Sequence, residues 1–135
     1  MKKVAFIFPG QGSQTIGMGK DFFENSDIAK NMISNASARL GIDFEKLLFE
    51  ENDNIGKTEF TQPAILLVSS IANAIFKEKY NITPEFVLGH SLGEFSALVA
   101  GGGIDYLDAI ELVHKRGLFM TEACAGGGAG MMALV

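Results

Sequence analysis

The stretch VLGHSLGEFSALV, residues 87–99, sets Ser91 between Gly89 and Gly93, with an apolar lead-in and a helix-like tail. A serine in this G-x-S-x-G pattern can attack a carbonyl when a strand precedes it and a helix follows, because the sharp turn exposes Oγ. The glycines remove side chains that would collide with the adjoining strand and helix. The same turn aims the backbone N–H of Leu92 at the place where a carbonyl oxygen becomes negative. A second donor is available in FPGQGSQ, residues 8–14, where Gly10 and Gly12 let the backbone of Gln11 approach a ligand closely. Neighbouring parallel strands would bring that loop beside Ser91. Two plainer readings compete. The serine turn could be a tight connection carrying a solvated hydroxyl, and GQGSQT could be a dinucleotide fingerprint, although Thr15 stands where its third glycine belongs.

Serine needs a neighbour to take its proton, and histidine is the usual one. The chain has two. His90 adjoins Ser91, and successive side chains at a strand end diverge, so packing or a hydrogen bond beside the turn is expected of it. His114 falls in mid-helix and is expected to be partly exposed. In folds with this serine turn the histidine follows the serine, often far downstream. An absent base and an ending in the apolar run MMALV therefore share one explanation, that the chain is the front part of a longer enzyme. Arg116 raises a different question. Its helical neighbours Leu112, Val113, Phe119 and Met120 are apolar, which puts a guanidinium on a stripe expected to face the core. Such a charge needs an anion, unless it snorkels to solvent or pairs with a carboxylate of its own chain.

The elements that must position these residues are legible in outline. Val4 to Phe8 predicts a buried strand ending at Pro9-Gly10. Residues 26–40 predict a helix with Ser26 as N-cap, Ile28, Met32, Ile33, Ala36 and Leu40 inward, and Gly41 as the stop. Residues 63–79 predict a largely buried helix with Pro63 in its first turn. EFVL, residues 85–88, predicts an interior strand, and a helix from about Leu92 to Ala100 follows the serine turn. Asp105 caps a last helix reaching about Glu122, with Asp108 placed for a capping box. The glycines of 126–130 then break the pattern, and MMALV suggests a third strand. Strands alternating with helices imply an α/β fold around a parallel sheet.

Composition narrows the function. A net charge of -5, with eleven Lys and Arg scattered along 135 residues, argues against nucleic acid. The apolar start Val4–Phe8 is too short for a signal sequence, and no uninterrupted apolar run approaches a membrane span, so a cytoplasmic protein with no membrane partner is expected. Cys124 is alone, which forbids an intrachain disulfide and suggests a small, half-buried side chain.

Taken together, FPGQGSQ at 8–14, TQPA at 61–64, GHSLGE at 89–94 and the RG of 116–117 resemble the malonyl-CoA:acyl carrier protein transacylase family, in the family's order and across nearly the whole chain. The resemblance implies a hydrolase-like α/β subdomain over residues 1–125, with 126–135 crossing into an inserted ferredoxin-like subdomain. It implies that Ser91 is the acylated nucleophile, that Gln11 and Leu92 supply oxyanion-hole N–H groups, and that Arg116, with Gln11, binds the malonyl substrate. Malonyl-CoA and the phosphopantetheine thiol of acyl carrier protein would be the substrates, with no metal or cofactor. The family's catalytic histidine has no counterpart here, so the chain alone is expected to be inactive. A serine hydrolase and a non-catalytic scaffold remain the competing readings.

Overall fold

In the computed structural model, which describes residues 3–128 and Met132, a strand β1 (Ala5–Phe8) leads into four helices. These are α1 (Lys20–Asn25), α2 (Asp27–Leu40), α3 (Phe44–Phe49) and α4 (Thr58–Tyr80). The chain returns as β2 (Phe86–Gly89) and closes with α5 (Gly93–Ala100) and α6 (Tyr106–Ala123). β1 and β2 pair in parallel, from Ala5 opposite Phe86 to Phe8 opposite Gly89. The pairing runs on into the serine turn, since the His90 N–H donates to the Phe8 carbonyl at 3.2 Å. This is the expected α/β arrangement. The third strand read at MMALV, and most of the stretch 126–135 assigned to a second subdomain, lie outside the described residues.

α4 is the central helix. Its Leu66, Leu67 and Ile71 are buried against Ile33 of α2, Phe44 and Leu48 of α3, and Ile110 and Val113 of α6. It is long and apolar enough to cross a membrane, yet 56% of that window is buried inside the fold, as befits a core helix. The helix begins five residues before the expected start, so Pro63 is its sixth residue rather than part of its first turn. An interior proline withdraws the N–H that the carbonyl four residues back would accept. Here that carbonyl belongs to Glu59, and it accepts instead from His114 Nδ1 of α6, 2.8 Å away. A side chain from the neighbouring helix thus replaces the missing bond.

The sheet differs from expectation. Parallel strands normally carry helices on both faces. Here Phe6, Phe8 and Val87 pack with Ala97 and Ala100 of α5, whereas Ile7 is 75% exposed and Leu88 53% on the opposite face. Both strands are therefore buried on one side only. α2 ends as the sequence implies, with Gly41 left-handed at φ 67° and its N–H returned to Ser37. Ser26 does occupy the preceding N-cap position, but its side chain makes no capping bond.

The capping box at the start of α6 does not form. The Asp105 carboxylate accepts from the Leu107 N–H at 2.8 Å, but Asp108 turns to Arg39 of α2, 2.8 Å from Nη2. Glu111 accepts from Arg39 Nε at 2.9 Å and from Lys115 at 2.8 Å. Hydrogen bonds from Lys115 and then Arg39 hold the Glu111 carboxyl below its ordinary range. A depressed carboxyl stabilises the fold above its unfolded pKa, about 4.3, and that contribution is lost as pH falls through the folded value. Glu111→Gln is therefore expected to lose less stability than the parent between neutral pH and pH ~3. The difference should be small, because exposed pairs are screened. Urea titrations of both proteins at the two pH values check it, and identical losses would show that the cluster adds nothing.

Candidate active site

Ser91 sits on the turn between β2 and α5 with φ 51°, in the left-handed region. For a residue with a side chain this conformation costs about 1–2 kcal/mol. The turn is closed by Gly93 N–H to the His90 carbonyl at 2.8 Å and Glu94 N–H to the Ser91 carbonyl at 3.1 Å. Leu92 anchors it with a fully buried side chain, leaving Ser91 exposed. Neither flanking glycine could carry a side chain. A Cβ on Gly89 would lie 1.9 Å from the Gly93 backbone, and one on Gly93 would lie 2.3 Å from the Phe8 carbonyl oxygen.

The loop after β1 comes to this turn as the strand pairing requires. A Cβ on Gly10 would lie 2.5 Å from the His90 carbonyl oxygen, so the backbones on either side of Gln11 and Ser91 are in direct apposition. Gln11 itself is exposed, and its Nε2 donates to Thr58 Oγ1 at the head of α4, 3.1 Å away. Among the described residues, the N–H groups of Gln11 and Leu92 donate to nothing. No helix opens directly after Gly12, since α1 begins only at Lys20. A dinucleotide fingerprint needs that helix, so the loop departs from it in structure as Thr15 does in sequence.

Arg116 does neither of the two things its own chain could have offered. It is half-buried and has no carboxylate partner among the described residues. Nη1 donates to Gln62 Oε1 at 2.6 Å, Nη2 reaches Ser91 Oγ at 3.3 Å, and the guanidinium carbon lies 5.6 Å from the centre of the Phe95 ring. All three contacts are neutral. The stripe around it is not the core face that the sequence predicts: Val113 is buried, but Leu112 is 45% exposed and Phe119 66%. Phe95, Phe119 and Met120 instead line an open apolar depression of about 480 Å³ that includes Arg116.

Neither histidine contacts Ser91 Oγ. His90 is exposed, and His114 is half-buried with Nδ1 on the Glu59 carbonyl. Because a carbonyl only accepts, that nitrogen carries hydrogen. Cys124 is exposed rather than half-buried, since α6 has ended one residue before it. The residue that sequence reasoning passed over is Gln62, which is fully buried and holds Arg116. Its signal was the TQPA block, an amide inside an otherwise apolar helical run.

Comparison with known proteins gives the chain a family. The acyl transferase domain model matches residues 5–135. The chain is 46% identical over 136 residues to the malonyl CoA-acyl carrier protein transacylase of Bacillus subtilis, covering all of this chain and 43% of that protein. Malonyl-CoA:acyl carrier protein transacylase from Helicobacter pylori superposes with TM-score 0.90 at 48% identity, over 93% of this chain and 41% of that one. A malonyl-transacylase solved in complex with its type II polyketide synthase acyl carrier protein superposes with TM-score 0.86 at 41% identity, over 90% of this chain and 40% of that one. The chain thus spans less than half the length of these relatives. With its parallel strands, its serine turn and this likeness over its whole length, the chain belongs to the acyl transferase domain family.

Proposed function

We propose that this chain carries the nucleophile and the acid-recognising half of a malonyl-CoA:acyl carrier protein transacylase serving fatty acid synthesis. The observation that carries this reading is Arg116: a half-buried cation, held among the described residues only by neutral groups, with Nη2 3.3 Å from Ser91 Oγ. A malonyl ester on Oγ places its free carboxylate a short chain away from that oxygen, where the guanidinium can bind it through two parallel hydrogen bonds. A generic esterase has no use for such a cation.

In the first step Oγ attacks the thioester carbonyl of malonyl-CoA, its proton passes to a base, and the C–S bond breaks as CoA leaves as the thiol. In the second, the phosphopantetheine thiol of acyl carrier protein attacks the serine ester, and Oγ recovers a proton. The unengaged Leu92 and Gln11 N–H groups serve as the donors to the negative oxygen of each tetrahedral intermediate, and each such donor is worth about 3–4 kcal/mol at the transition state. Neither step calls for a metal or prosthetic group. The base is the one part that the described residues do not supply, so the 135-residue chain by itself is proposed to lack turnover.

Intact-mass measurement of this chain and of the full-length protein after incubation with malonyl-CoA tests the reading. A malonyl adduct on Ser91, passed on to holo acyl carrier protein, is expected from the full-length protein. Ser91→Gly should give no adduct and should be more stable by about 1 kcal/mol, because glycine accepts φ 51° without strain. Free malonate without adduct would favour a hydrolase, and neither product from either protein would favour a scaffold.

A further inference from the structure

We propose that Gln62 determines the acyl preference of this site, by supplying Arg116 with an acceptor that orients its guanidinium without neutralising it. The proposal rests on the reading of Arg116 as the carboxylate partner. In the TQPA block, the other two polar or backbone-altering residues are accounted for. Thr61 Oγ1 donates between the Ile55 and Lys57 carbonyls, at 2.6 and 2.9 Å, and Pro63 frees the Glu59 carbonyl for His114. Gln62 is fully buried and meets Arg116, whose Nη2 reaches the serine.

The chemistry of its neighbours fixes which end of the amide is which. A guanidinium only donates, so the atom 2.6 Å from Arg116 Nη1 must be the oxygen, and Nε2 then lies 3.2 Å from Met120 Sδ, a weak acceptor. Both ends are engaged, so the amide is held in one orientation. The helices that carry the pair are also locked together. Gly117 lets the head of α4 approach α6 so closely that a Cβ there would lie 2.6 Å from Glu59 Cα. Thr121 Oγ1 donates to Glu59 Oε2 at 3.0 Å beside the His114 contact. Arg116 Nη1 is therefore committed to α4, and Nη2 is left facing Ser91.

The residue type at position 62 follows from what the site must keep. An apolar side chain would leave one half-buried N–H without its partner and the guanidinium free to swing. A carboxylate would bind the arginine more strongly but would cancel the charge that a dicarboxylic acyl group needs to find. A neutral acceptor avoids both faults. Discrimination between malonyl and acetyl groups then depends on Gln62 as well as on Arg116.

The experiment measures initial rates of Ser91 acylation by malonyl-CoA and by acetyl-CoA in the full-length protein, for the parent, Arg116→Ala, Gln62→Glu and Gln62→Met. Gln62→Glu is expected to lower the malonyl-to-acetyl ratio by about tenfold or more, with acetyl loading within about threefold of the parent. Gln62→Met should lower the ratio less, by raising the KM for malonyl-CoA with little change in kcat. A purely structural role would depress both acyl groups alike. Should Gln62→Glu keep the parent's ratio while Arg116→Ala loses it, the proposal for Gln62 is overturned and the reading of Arg116 stands. Should Arg116→Ala also keep the ratio, both fall. Melting curves identify a variant that fails to fold, and if that is Gln62→Glu, an unchanged malonyl-CoA KM in Gln62→Met overturns the proposal.

Discussion

Arg116→Ala is expected to slow malonyl transfer onto Ser91 by roughly 30- to 1000-fold while changing acetyl transfer by no more than about threefold. The size follows from the environment of the guanidinium. Breaking a fully buried charge pair costs about 3–5 kcal/mol, and partial exposure of Arg116 reduces that to about 2–4. The selectivity follows from its partners. Gln62 and Ser91 are neutral, so a malonyl carboxylate would be the one full charge that the deletion strands. Acetyl brings none. Arg116→Lys should fall between the two, because an ammonium keeps the charge but not the planar fork. Steady-state rates with both thioesters decide the matter, and equal losses for malonyl and acetyl would remove carboxylate recognition from the role of Arg116.

Much of this arrangement is legible in the sequence, and what is not has identifiable causes. The serine turn and the loop of Gln11 are set by local chemistry: glycines at close approaches, an apolar strand before, a helix after. Strand pairing then does the rest, since parallel β1 and β2 bring residues 8 and 89 opposite each other and so bring both loops together. The start of α4 was hidden because a proline in a first turn is the ordinary reading, and only a tertiary contact, His114 to the Glu59 carbonyl, makes it tolerable five residues further in. α1 and α3 are too short for periodicity to reveal them, although Asp43 caps α3 by accepting from the Lys46 N–H at 3.0 Å. Asp108 fits a capping pattern locally, but Arg39, distant in sequence, competes for it and wins. The role of Gln62 was invisible for a similar reason: its partner is 54 residues away, and a glutamine in an apolar run says only that some partner must exist. Local rules thus find the turn, and long-range pairing decides which polar groups serve it.

The largest loss of stability is expected at Gly89. In Gly89→Ala the new methyl would meet the Gly93 carbonyl carbon and oxygen at 1.9 Å and the Glu94 nitrogen at 2.2 Å. These are backbone atoms of the first turn of α5, which cannot swing aside as a flexible side chain could. Overpacking ordinarily costs about 1–3 kcal/mol, and a clash against backbone on this scale should reach about 3 or more. Gly56→Ala is the control, because a Cβ there meets nothing within 4 Å, and its effect should stay within about 0.5 kcal/mol. Urea midpoints at constant slope give both numbers, and a Gly89 variant as stable as the Gly56 one would mean that strand and helix do not touch at the turn. The consequence reaches Ser91. Ser91 keeps φ 51° only because Gly89 and Gly93 hold the strand end and the helix start in contact around it. Any shift that relieves the clash must open that bend, so Gly89→Ala should lose acylation of Ser91 at temperatures where the rest of the fold survives.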